Sequence, residues 1–120
     1  MKDLKKKKST KELVEALKKA SRERKEQIWM NLAERLAKPS RQLHSMNIEK
    51  ISKLAEKNKG KILVIPGKAL GKGELAGKAE VSAFSFSREA REKIGKNGKA
   101  MDLWELMESK KKAKEMTIVL

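Results

Sequence analysis

Between Pro66 and Lys78 the chain reads PGKALGKGELAGK, with Gly67, Gly71, Gly73 and Gly77 interleaved with Lys68, Lys72 and Lys78. Glycine lets the main chain approach a partner closely and reach positive φ. The ammonium groups between the glycines make that partner an anion. Phosphate oxygens of a polynucleotide suit such a loop, because backbone N–H groups and lysines position a strand without reading its bases. The duller alternative is a surface turn whose lysines are merely solvated. Gly71-Lys72-Gly73 is not a nucleotide-binding fingerprint: no helix opens directly after the glycines and the full phosphate-loop spacing is missing.

A second basic group lies upstream, where Arg35, Lys38, Arg41 and His44 fall on or beside the connector KPSRQLHSM. Only six arginines occur against 25 lysines, so an arginine here is a pointed choice. Its planar fork grips phosphate through two N–H groups or stacks on a splayed base. Pairing of Arg35 with a helix acid such as Glu34 is the competing reading. A third group is the run Lys5, Lys6, Lys7 and Lys8, which cannot pack and is expected to be disordered or to drape on an RNA.

Other chemistry is thinly supplied. His44 is the only histidine and there are no cysteines, which removes disulfides, thiolate zinc sites and cysteine nucleophiles together. No nucleophile, base and orienting group fall into a recognisable constellation. The expectation is a protein that is not an enzyme and uses no cofactor, metal or small-molecule substrate. Trp29 and Trp104 sit beside Ile28 and Leu103 on helical faces, where burial is the usual fate of a large aromatic. Phe84 and Phe86 share strand parity and are expected to face the helix carrying Ile94.

The charge balance points the same way. The 120 residues carry 31 Lys/Arg against 16 Asp/Glu, a formal net charge of +15. Residues 1–60 hold 18 basic against 8 acidic side chains and residues 61–120 hold 13 against 8, so the excess belongs to the body as well as the tail. Net charge of this size favours association with polyanions. No apolar run approaches the roughly 20 residues of a membrane span, and MKDLKKKK lacks the apolar stretch of a secretory leader. The expected location is cytoplasmic, with no membrane partner.

The elements that must position these groups are legible in outline. Ser9 and Glu12 have capping-box spacing ahead of Leu13, Leu17 and Ala20. Ile28, Leu32 and Leu36 recur at spacing four and predict a second helix from about Arg24 to Ala37, closed by Pro39. Asn47 suits an N-cap for a third helix with Ile48, Ile51, Leu54 and Ala55 on one face. Lys61–Ile65 predicts a strand that breaks at Pro66-Gly67, Lys78–Phe86 a second strand, and Ser87 caps a helix ended by Gly95 and Gly98. Asp102 opens a short helix, and Met116–Leu120 predicts a final strand. Helices followed by alternating strands and helices make the chain α/β, with a flexible tail over 1–8 and one domain over 9–120 (helical to residue 60, α/β from residue 61).

The block Lys68-Ala69-Leu70-Gly71-Lys72-Gly73-Glu74-Leu75, with Val81, Phe86-Ser87, Ala90, Ile94 and Gly98, resembles the glycine loop shared by bacterial large-subunit ribosomal protein fifteen and archaeal/eukaryotic large-subunit ribosomal protein eighteen. The upstream block Ile28-Trp29, Leu32 to Leu36, Lys38-Pro39, Arg41-Gln42 and Asn47-Ile48 to Ile51 is similar to the archaeal/eukaryotic branch. A departure is Gln27, where that family commonly carries proline. The resemblance implies N-terminal helices followed by an irregular ββα superhelical core. It also implies a structural constituent of the large ribosomal subunit that contacts large-subunit rRNA and neighbouring ribosomal proteins. A nonspecific nucleic-acid-compacting protein of chromatin type is the alternative that charge alone leaves open.

Overall fold

The computed structural model describes residues 10–37, 44–109 and 111–119. The chain divides into two compact units, Met1–Gln42 and Leu43–Leu120. The Ser9 cap and the lysine run lie outside the described residues.

In the first unit, helix α1 (Thr10–Arg24) packs against helix α2 (Gln27–Leu36). On α1 the face expected from spacing is buried through Leu13, Leu17 and Ala20; on α2 Leu32 and Leu36 are buried as expected, but Trp29 and Ala33 join them while Ile28 is only half-buried. Trp29 is fully buried, its indole N–H donating to Glu26 Oε1 at 2.7 Å. The junction differs from expectation. Arg24 ends α1 instead of opening α2, and Lys25 then adopts φ +55°. The Glu26 N–H returns to the Ser21 carbonyl at 3.3 Å, the 6→1 bond of a left-handed helix stop. Such stops usually carry glycine, so a lysine there hid the boundary.

The second unit is built on five parallel strands: β1 (His44–Asn47), β2 (Ile62–Leu70), β3 (Glu80–Phe86), β4 (Lys99–Asp102) and β5 (Met116–Ile118). The order is β1-β2-β3-β4, with β5 also on β2. Helix α3 (Ile48–Lys57) joins β1 to β2, α4 (Arg88–Asn97) joins β3 to β4, and α5 (Leu103–Glu108) with a 3₁₀ turn (Ala113–Glu115) leads to β5. N-terminal helices before a mixed α/β body are thus observed, with β2, β3 and α4 forming one ββα turn. The third helix belongs with the sheet: α3 packs on β1 and β2.

Strand β2 does not stop at Pro66. β3 runs along one edge of it, with a register shift between Ile65 and Lys68. On the other edge β5 pairs Ile62–Val64 and β1 pairs Gly67–Leu70. Pro66 therefore falls at a bulge, between two end-to-end edge strands, where no neighbour asks for the N–H it lacks. β1 and β4 are strands the sequence reading did not expect. Helix α4 also runs through Gly95 to Asn97. The caps at Ser87 and Asp102 form as expected: Ser87 Oγ accepts from the Ala90 N–H at 3.1 Å, and Asp102 and Glu105 close a reciprocal capping box. Asn47 precedes α3 without a side-chain capping bond.

Leu63, Ile65 and Ala69 of β2, Val81 and Ala83 of β3, Ile48 and Ile51 of α3, and Ala90 and Ile94 of α4 form one apolar cluster. Leu75 and Ala79, from the segment joining β2 to β3, complete it. The β3 residues that share the buried cluster with Ile94 are Val81 and Ala83, while Phe86 packs at the cluster's margin and Phe84 is half-buried.

Candidate nucleic-acid interface

β2 and β3 pair in parallel, so the glycine segment cannot be a hairpin. It must carry the chain back along the sheet, a task usually given to a crossover helix. Residues 71–79 do it without one, as a strap over the α3/α4 side.

Several bonds fix that strap. Lys93 of α4 donates through Nζ to the Gly71 carbonyl at 2.8 Å and the Gly73 carbonyl at 2.6 Å. The same ammonium lies 3.4 Å from Glu89 Oε2 and 3.5 Å from Glu74 Oε2, on a side chain only 22% exposed. Between those carbonyls, the Lys72 carbonyl accepts the Glu49 N–H at 3.1 Å. Further along, the Ala76 N–H donates to Ser52 Oγ at 2.9 Å. Gly73 has φ +98°, and a Cβ there would press on Glu49 of α3. Three consecutive carbonyls turned inward leave Lys72 exposed outward. Lys93, which the sequence reading passed over, is the residue that shapes the segment.

The expected basic residues are not gathered in one place. Lys68, Lys72 and Lys78 are all exposed, but Lys72 follows the C-terminal end of β2 and Lys78 precedes the start of β3, so the strap separates them by the length of the sheet. Arg35 is exposed on α2 in the first unit. Lys5 to Lys8, Lys38 and Arg41 lie outside the described residues. The backbone of His44 begins β1 opposite Gly67.

What the fold does gather is a different set. Because every strand is parallel, the residues that precede strands meet at one edge of the sheet. There an open groove of about 790 Å³ is lined by Lys59, Lys61, Lys78, Lys99 and Lys111, with Glu56, Glu80 and Glu115 the acidic residues among them. All five lysines are exposed. Their chain positions carry a signal: Lys59 and Lys61 lead into β2, Lys78 into β3, Lys99 opens β4, and Lys111 precedes β5.

Among the described residues no group of three or more His, Cys, Asp or Glu side chains is placed to hold a metal ion. No described helix is long and apolar enough to cross a membrane. A parallel α/β unit with exposed cations at both ends of its sheet defines a basic α/β protein whose surface suits a polyanion. No protein-family model matches the chain. Three curated proteins, each called large ribosomal subunit protein eL18, are similar to it over most of its length. The one from Methanococcus maripaludis is 40% identical over 92% of this chain and 91% of its own. The one from Sulfurisphaera tokodaii is 42% identical over 79% and 80%, and that of Thermoplasma acidophilum 37% identical over 88% of each. The chain belongs to the large ribosomal subunit protein eL18 family.

Proposed function

We propose that this protein is a structural constituent of the large ribosomal subunit in the cytoplasm, binding large-subunit rRNA through cations that its fold holds at set positions. The observation that carries the reading, beside family membership, is the groove at the strand starts, where five lysines from four connections converge. Lys68 and Lys72 at the opposite end of the sheet, Arg35 on α2, and Lys5 to Lys8, Lys38, Arg41 and His44 extend the contact to other RNA segments. The mechanism is electrostatic: ammonium and guanidinium groups bridge phosphates that would otherwise repel one another, releasing condensed counterions. No turnover is involved. Neighbouring ribosomal proteins complete its surroundings.

The test is the salt dependence of binding to large-subunit rRNA fragments. Neutralising ~6–10 phosphates makes affinity fall ~10³–10⁵-fold between 50 and 200 mM salt. A slope near zero, or equal binding to arbitrary double-stranded DNA, refutes the reading.

A further inference from the structure

Helix α4 spends four of its charged residues in pairs, while Arg91 and Lys96 stand outside them. Arg88 reaches Glu92 at 3.9 Å and Glu89 reaches Lys93 at 3.4 Å, both four residues apart. Arg91 has no such option: the positions three and four away on its helix are Ser87, Arg88, Ile94 and Gly95. One of those neighbours is another arginine, a like charge one turn away that costs helix stability. Among the described residues Arg91 makes no ion pair. Its guanidinium carbon instead lies over the Phe86 ring, 5.0 Å from the centroid. Phe86 is half-buried at the margin of the apolar cluster, while Arg91 is exposed.

A guanidinium is a plane with two faces and a rim of N–H donors. Phe86, packed at the margin of the core, backs the Arg91 guanidinium from one side. The Arg91 side chain is otherwise exposed, on the same helix turn as a second arginine, Arg88. Bases of single-stranded RNA segments stack on such planes, while the N–H rim reaches base edges or phosphates. We infer that Arg91, backed by Phe86, is a stacking shelf for one unpaired nucleobase of the rRNA. This rests on the rRNA-binding reading and adds to it a site that takes a base instead of a phosphate.

The experiment separates charge from planarity in the full-length protein bound to large-subunit rRNA, with unpaired bases probed chemically and affinity measured. Arg91→Lys keeps the positive charge and loses the plane; Phe86→Leu keeps an apolar side chain and loses the ring beneath it. The expected result is that wild-type protein shields an unpaired base that both variants leave reactive. Arg91→Lys should bind roughly 5- to 100-fold more weakly with an unchanged salt slope. Arg91→Lys shielding the same bases as wild type and binding within about twofold of it overturns the shelf, leaving Arg91 a phosphate contact. Loss of shielding in Phe86→Leu alone overturns it too, since a fold defect then explains the change. If wild-type protein fails to bind rRNA, the broader reading falls and this inference with it; binding without any shielded unpaired base overturns the shelf alone.

Discussion

Replacing Lys93 with methionine tests whether the β2–β3 strap is built into the free protein. Methionine keeps an apolar stem of similar reach and removes the ammonium, and with it the bonds to the Gly71 and Gly73 carbonyls at 2.8 and 2.6 Å. Hydrogen bonds to a charged group contribute roughly 1.5–3 kcal/mol each. The lower end applies here, because the side chain keeps 22% exposure and its acids, Glu89 and Glu74, are solvent-exposed partners worth little. The strap should therefore lose about 2–3 kcal/mol of local stability, which makes its opening roughly 30- to 140-fold more frequent. Amide hydrogen exchange reads this directly at Glu49, whose N–H is held by the Lys72 carbonyl, and at Ala76, whose N–H is held by Ser52. Both should exchange faster by that factor, while amides in the β2–β3 ladder change little. Unchanged exchange at both positions would refute the reasoning, leaving the burial of Leu75 and Ala79 as sufficient to hold the segment.

Four further outcomes follow from the same geometry. Gln27 is the first residue of α2 after an extended Glu26 (φ −122°, ψ 119°), a setting that accepts proline; Gln27→Pro should raise stability by about 0.4–1 kcal/mol in urea titration. Gly95 lies inside α4 with open space around it, whereas a Cβ on Gly98 would collide with the Ala79 backbone. Gly95→Ala should stabilise by up to about 1 kcal/mol and Gly98→Ala destabilise by about 1–3 kcal/mol or more, both followed by thermal denaturation. Asp102→Ala removes the capping bond to the Glu105 N–H and should cost about 0.5–2 kcal/mol in the same assay. Lys61→Gln and Lys99→Gln, at the groove, should each lower the slope of log affinity for rRNA against log salt by about one phosphate's share, with thermal stability unchanged.

Where the chain announces its structure locally, reading it works. Leucine and isoleucine spacing located three helices, and Ser87 and Asp102 cap where their neighbours in sequence say they must. Apart from the α1–α2 junction, where Lys25 stands in a position that usually takes glycine, the main failures trace to distant partners. β1 and β4 are four residues each, three polar in β1 and two in β4, and only their pairing to β2 and β3 makes them strands. Pro66 looked like an end because nothing nearby reveals that the paired neighbour changes from β5 to β1 at that point. The acceptors of Lys93 lie 20 and 22 residues away and are carbonyls, which leave no mark on residue type. The groove lysines are scattered from 59 to 111 and converge only because all strands point the same way. The glycine segment reads in sequence as a loop or surface turn between two strands, and parallel pairing of those strands makes it a strap along the sheet instead.

The placement of β5 has a bearing on how the protein is made. Its three residues complete the outer edge of Ile62–Val64, yet they are translated more than fifty residues later. Until then a nascent chain displays an apolar, unpaired strand margin, open to pairing with another chain. The hazard ends only when Met116–Ile118 has emerged and docked, so a transcript truncated before that codon yields a sticky product rather than a merely shortened one.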